Sequence, residues 1–339
     1  VKLNKSTVGG ITLGLVIIFN LLFTQFKGFY EVVYQNGLFQ VWRVLHDFTL
    51  GLLPIPSLYL IVPAFFYYFL KGQFGSVKQF FIGLITSIIW IINLFYILWG
   101  FNYTQPSLYT SLDMTPLSLD AQYVKKAFLR QTAILEHLAP GTTTDQDFKS
   151  QENLIRKTQE KLLSDWGLST MGKVRIRKVP SGSLLRIRTS GIYIPHAMEG
   201  HLDRGLYVKQ HPFTLAHEMA HGYGYTDESV CNFIAYLTCM ESGDINIRYS
   251  AELAYWRYLS RYFAQSHPEE WKLLYPDLHP VLLQDLKEIK AHINKYRDIM
   301  PVMRDVIYDN YLKSHGVKAG IKSYDQMIEL IAAWNAKNG

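Results

Sequence analysis

"FTLAHEMAHGYGYTDESVCNFIAY" (213–236) carries His217, Glu218 and His221 in the pattern HExxH, then Gly222 and Gly224, then the acidic pair Asp227 and Glu228. Residues four apart on a helix share a face. The two imidazoles therefore stand one turn apart and can close on one Zn²⁺. Glu218 lies beside them, close enough to hold a water at the metal but not to ligate it. Zinc brings the pKa of such a water toward about 7, where a carboxylate base can take its proton. Glu218 is thus the expected catalytic base, and the reaction is attack of a hydroxide on a carbonyl carbon. The flanking Thr214, Leu215, Met219 and Ala220 are uncharged and compatible with a buried helix.

A catalytic zinc site needs a third protein ligand and an open position for water. Two residues can supply that ligand. "HEMAHGYGYTD" (217–227) fits HExxHxxGxxD, a variant of the metzincin pattern, with Gly224 at the turn and Asp227 as ligand. That pattern also wants a methionine turn, whereas Met240 lies in a helix-like stretch. Alternatively Thr226 caps a new helix and places Glu228 in its first turn, with Asn232 one turn on to orient the carboxylate. That is the gluzincin arrangement, and Glu228 is the expected ligand with Asp227 as the rival. His196, His201 and His211 lie upstream as further imidazoles.

Working outward, the chain divides by charge. The 339 residues carry a formal +6, but residues 1–100 hold six basic residues (Lys2, Lys5, Lys27, Arg43, Lys71, Lys78) against Glu31 and Asp47. The rest of the chain is nearly balanced, with 28 basic and 26 acidic residues. A nucleic-acid surface needs a clustered basic face, and no such cluster is visible. Cys231 and Cys239 stand eight apart on a predicted helix, too far to bridge, and read as small buried apolar residues.

The N-terminal hundred residues are membrane-like. "ITLGLVIIFNLLF" (11–23), "LLPIPSLYLIVPAFFYYFL" (52–70) and "FFIGLITSIIWIINLFYILWGF" (80–101) are uncharged. Each is read as a transmembrane helix crossing about 30 Å of hydrocarbon. Pro54, Pro56 and Pro63 are tolerated in such helices. No small-residue cleavage site follows the first run, so it reads as an anchor rather than a signal peptide. "GLFQVWRVLHDF" (37–48) places Leu38, Val41, Trp42, Leu45 and Phe48 at helical spacing, as in an amphipathic interfacial helix. Lys2, Lys5, Lys71 and Lys78 put the N-terminus and the second loop in the cytoplasm. The expectation is a multipass protein of the cell membrane whose catalytic domain is extracytoplasmic.

After a polar linker (102–120), helices are expected over about 119–138 and 145–165. Strands are expected at "KVRIRKV" (173–179), "SLLRIR" (183–188) and "SGIYIP" (190–195). Pro212 opens the HExxH helix, Gly222 and Gly224 close it, and helices follow from 227. The fold class is a membrane α-helical region (1–103) followed by an α+β, mostly helical, zincin-like domain (104–339).

These segments together resemble an uncharacterised bacterial family of membrane-anchored HExxH proteins, defined as a domain of unknown function. "ILWGFNY" (97–103), "SGIYIPHAMEG" (190–200), "HPFTLAHEMAHGYGYTDESVCNFIAYLTC" (211–239), "RYSAEL" (248–253) and "GIKSYDQMIELI" (320–331) carry the likeness. The resemblance implies three spans before a gluzincin-like peptidase domain, with His217, His221 and Glu228 as ligands and Glu218 as base. Met198 stands where that pattern expects a glycine, and Val230 where it expects an acid. The function read from the residues is zinc-dependent hydrolysis of a peptide or protein substrate near the lipid bilayer. The alternative is a non-catalytic membrane scaffold that retains the fold. Tyr249 and Tyr324 are candidate oxyanion donors, and "GIYIPHAMEGHLDRGLYV" (191–208) a candidate strand edge for an extended substrate.

Overall fold

Side-chain caps set where most helices begin. The computed structural model describes residues 4–71, 75–117, 119–301 and 326–338. Asn4 accepts from the Thr7 N–H and opens α1 (Lys5–Gln25). A stretch of irregular helix leads into α2 (Phe39–Asp47). Next come α3 (Leu58–Leu70) and α4 (Val77–Leu98), the latter capped by Ser76. Asp120 and Asp147 cap α5 (Ala121–Leu138) and α6 (Phe148–Asp165). A three-stranded sheet follows: β1 (Arg175–Val179), β2 (Gly191–Ile194) and β3 (Glu199–Asp203). The remaining long helices are α7 (His211–Gly222), α8 (Glu228–Glu241), α9 (Ile245–Ser266), α10 (Pro280–Asn294) and α11 (Met327–Asn338). The architecture is thus an apolar helical N-terminal region followed by a mixed α+β region, mostly helical.

The strand order is β1-β3-β2, with β1 parallel and β2 antiparallel to β3. Two of the expected strands are present, at 175–179 and 191–194. The expected strand at 183–188 is instead a 3₁₀ turn over Leu185–Ile187. Asp203 causes this. Its carboxylate accepts from the backbone N–H of Gly182, Leu184, Leu185 and Gly205 at 2.7–3.0 Å, winding that segment into a cap. The central strand is β3, buried at every residue despite the sequence EGHLD. Sheet and helices α5–α11 enclose one large core that contains Phe128, Leu215, Phe233, Trp256 and Phe263.

Among the described residues, α1 and α4 are long and apolar enough to cross a membrane. They meet at Gly9, whose carbonyl accepts from the buried Asn93 amide at 3.0 Å. The second apolar run differs from expectation. Only its thirteen residues 58–70 are helical, about 20 Å at 1.5 Å per residue, short of the roughly 30 Å of a hydrocarbon core. The preceding residues are held on the α+β region. Ser57 donates to Glu199 from both its N–H and its hydroxyl at 2.9 and 2.8 Å, and the Leu53 carbonyl accepts from Arg177 at 2.7 Å.

Helix α2 is amphipathic, as its spacing predicts, but it presents its polar side inward. Gln40, Arg43 and His46 are buried. Arg43 donates to the Gly172 carbonyl at 2.9 Å and lies over the Tyr223 ring, and Asp47 pairs with Arg175. Leu38, Val41, Leu45 and Phe48 point outward. A second, smaller core joins the N-terminal helices to the sheet: Phe23, Tyr30, Tyr34, Phe39, Trp99 and Phe101 pack with Tyr193 and Met198. Met198 takes a φ of 48°, the left-handed region that favours glycine, which gives the expected glycine at this place its physical meaning.

Candidate metal centre

The site is built by two helices and the turn between them. Helix α7 ends where Gly224 takes a φ of 101°, and the Tyr225 N–H reaches back to the Ala220 carbonyl at 3.1 Å. This tight exit brings the next helix back across the HExxH face. Asp227, not Thr226, is the cap of α8: its carboxylate accepts from the Ser229 and Val230 N–H groups. Capped this way, Glu228 becomes the first residue of α8, and its carboxylate faces both histidines. His217 Nε2 and His221 Nε2 are 3.2 Å apart. Glu228 Oε2 is 3.1 Å from the first and 3.6 Å from the second.

These three ligand atoms form the one group among the described residues able to hold a metal ion, all within 4.8 Å of one another. Both outer imidazole nitrogens are engaged with oxygen acceptors: His217 Nδ1–H with Asn232 Oδ1 at 2.8 Å, and His221 Nδ1–H with the Tyr225 carbonyl at 2.8 Å. That places the lone pairs of both Nε2 atoms face to face, next to a carboxylate. Such a cluster is stable only around a positive charge. Burial disfavours the charged forms, yet the Cys231 sulfur and the Glu228 carboxylate hold His221 well above the ordinary imidazole range. Burial likewise raises Glu228, but the imidazoles outweigh it and hold the carboxyl well below its usual range. A proton shared here answers the same demand as a cation. The donor set, two imidazoles and a carboxylate, suits zinc, so the residues fit the ion.

Asn232 lies on α8 as expected, but it orients His217 rather than the Glu228 carboxylate. Its amide then donates to the Tyr258 hydroxyl at 3.1 Å, extending the chain of contacts to α9. Glu218 is buried between α7 and the sheet. Gly191 and Gly200 on paired strands make room for it: a Cβ on Gly191 would sit 2.6 Å from Glu218 Oε1. Burial pushes the Glu218 carboxyl up to about 7, against the downward pull of the two imidazoles.

His217 and Glu218 open onto a cleft of about 580 Å³, walled by residues 188–191 on one side and by Leu253, Arg257, Tyr258 and Arg261 on the other. The other sequence candidates lie elsewhere. Tyr249 is buried and donates to Asp285 at 2.6 Å, away from the cleft, which removes it as an oxyanion donor. Tyr324 lies outside the described residues. His196 bonds the Ile91 carbonyl, and His211 the Leu206 carbonyl. His201 is buried in β3 beside Glu199. Cys231 and Cys239 are free and buried. Tyr258 and Arg257 were not singled out by sequence, where "YWRYLSRYF" (255–263) reads as a packing helix. Their one signal is that Leu253, Arg257, Tyr258 and Arg261 share a helical face.

The family model described as "Protein of unknown function (DUF3810)" matches residues 34–332. The chain belongs to the DUF3810 family. The match spans both the amphipathic helix and the metal-capable triad, so the family unites them in one unit. Neither the curated proteins nor the solved structures include a match to the chain. The resemblance to a family of unknown function therefore holds.

Proposed function

We propose that this DUF3810 protein is a membrane-anchored zinc-dependent peptidase, with His217, His221 and Glu228 as ligands and Glu218 as general base. The observation that carries this reading is the convergence of three ligand atoms beside a buried carboxylate that opens onto the cleft. A purely structural zinc site closes its fourth position with another ligand and has no use for a base there.

Zinc, when bound, supplies a Lewis acid for the scissile carbonyl and acidifies the attacking water. Glu218 takes the proton from that water and returns it to the leaving amine. Asn232 and the Tyr225 carbonyl fix the two imidazoles. Tyr258 is the oxyanion donor in this reading. Its hydroxyl already accepts from Asn232, which leaves its own proton for the substrate. Burial pushes its phenol up to about 12, so it stays protonated at neutral pH. Strand β2 is an edge of the sheet, and its first residue lines the cleft. An extended peptide can add there as a further strand.

The apolar helices and the outward apolar side of α2 support a cleft that works beside a bilayer. Basic residues at 2, 5, 71 and 78 favour the extracytoplasmic side provided that the segment containing α3 also crosses the bilayer. The test is zinc-loaded full-length protein in detergent micelles against a peptide mixture, beside Glu218→Gln. The expected result is peptide cleavage by the wild type and none by the variant, at equal zinc content. Activity retained in Glu218→Gln would remove the base, and with it the mechanism.

A further inference from the structure

The cleft carries a positive charge that the proposed hydrolysis does not use. Arg188, Arg257 and Arg261 all line the cleft, and among the described residues the one acid lining it is Glu218. Two of the arginines are held in place. Arg188 donates to the Ile293 carbonyl at 3.0 Å and lies 3.6 Å from Asp298, and Arg261 lies against the Tyr258 ring. Arg257 differs. It is only partly exposed, and no acidic side chain among the described residues pairs with it. Arg261 beside it repels it, and the neutral Tyr258, next to it in sequence, is bonded to the His217–Asn232 chain. A half-buried guanidinium without a counter-ion is unfavourable. Its planar fork matches a carboxylate.

We infer that Arg257 is the specificity-determining residue of an anion subsite beside the metal centre, and that the substrate carries a carboxylate close to the scissile amide. This rests on the peptidase reading. The carboxylate has two possible sources in a peptide, an acidic side chain or the free C-terminus.

The test reads binding before catalysis. Full-length Glu218→Gln protein in detergent is loaded with zinc and titrated with labelled alanine-rich peptides. These cross a central Glu or Gln with a free or amidated C-terminus, and fluorescence anisotropy gives the affinities. At least one carboxylate-bearing peptide should bind about tenfold tighter than the Gln amide, ~1.4 kcal/mol. In Glu218→Gln/Arg257→Gln that advantage should vanish while the Gln amide binds as before. A dependence on Glu identifies the side chain as the source, and a dependence on the free terminus identifies the chain end. Equal binding by all the peptides, no binding by any, or an advantage that survives the loss of Arg257 would overturn the inference. If Arg257→Gln loses its zinc, Arg257→Lys is read instead. One ammonium in place of the fork should reduce the preference several-fold, and an unchanged preference overturns the assignment. Wild-type protein given the same peptides separates the two claims. Anion-selective binding without cleavage sinks the peptidase reading alone, and cleavage without anion selectivity sinks the subsite alone.

Discussion

At the scale of single residues, the site depends on how a few side chains are oriented. Asn232 holds His217 through its outer nitrogen. Replacing it with alanine frees the ring and leaves the metal ligand unoriented. Asn232→Ala should weaken zinc affinity by about 10–100-fold, read by competition with a chelator. An affinity unchanged from wild type would deny Asn232 that role. Gly191 makes the room that Glu218 occupies. Gly191→Ala should displace the base and lower hydrolysis by about 10²-fold while zinc stays bound, so activity and metal content should separate. The HExxH residues are legible in sequence because spacing alone puts two imidazoles on one face. Tyr258 and Arg257 were hidden, because tyrosine and arginine on an amphipathic helix read equally well as packing. Only the folded cleft distinguishes a wall residue from a core residue.

At the scale of elements, long-range polar contacts decide where the sequence pattern misleads. "SLLRIR" (183–188) alternates like a strand, yet the Asp203 carboxylate gathers its N–H groups into a turn. "EGHLD" (199–203) has poor strand composition, yet it is the central strand, because Arg177 and Ser57 satisfy Glu199 and the turn satisfies Asp203. No local window contains those partners. The start of α8 gives a sharper test. Asp227 caps it, so Asp227→Ala should cost about 1 kcal/mol of stability with zinc still bound, measured by thermal unfolding and metal content together. The start of α7 predicts a pH dependence. Burial, aided by Lys178, lowers the His211 imidazole to about 4, below the ~6.5 of an unfolded chain. Between these values the unfolded state binds more protons, so stability rises with pH. The contribution is complete above about 6.5 and falls by ~3 kcal/mol as pH drops to about 4. In His211→Gln, the melting temperature should fall less over that window than in wild type. Parallel curves for the two proteins would assign the dependence to other groups.

At the scale of the whole molecule, the N-terminal helices and the α+β region share a core. Trp99, at the end of α4, donates from its indole to the carbonyl of His221 at 2.8 Å, so a metal-capable residue touches a candidate membrane helix through its own backbone. Glu199, Arg177 and Asp47 fasten the segment between α2 and α3 to the sheet. A division at residue 103, natural from hydropathy, cuts through this core. A chain beginning at 104 should aggregate or bind no zinc, as read by size-exclusion chromatography and metal analysis. A folded, zinc-binding monomer would show that the shared core is dispensable. The sequence made the apolar runs plain but not their ends: the segment before α3 is apolar enough for a membrane, and hydrogen bonds with Glu199 and Arg177 draw it onto the sheet instead.

The most direct measurement is the zinc content of purified full-length protein, beside Glu228→Ala and Asp227→Ala. One zinc per chain in the wild type and in Asp227→Ala, and loss in Glu228→Ala, is the predicted result. Zinc retained without Glu228, or no zinc in folded wild type after zinc is added, would contradict a metal centre formed by His217, His221 and Glu228.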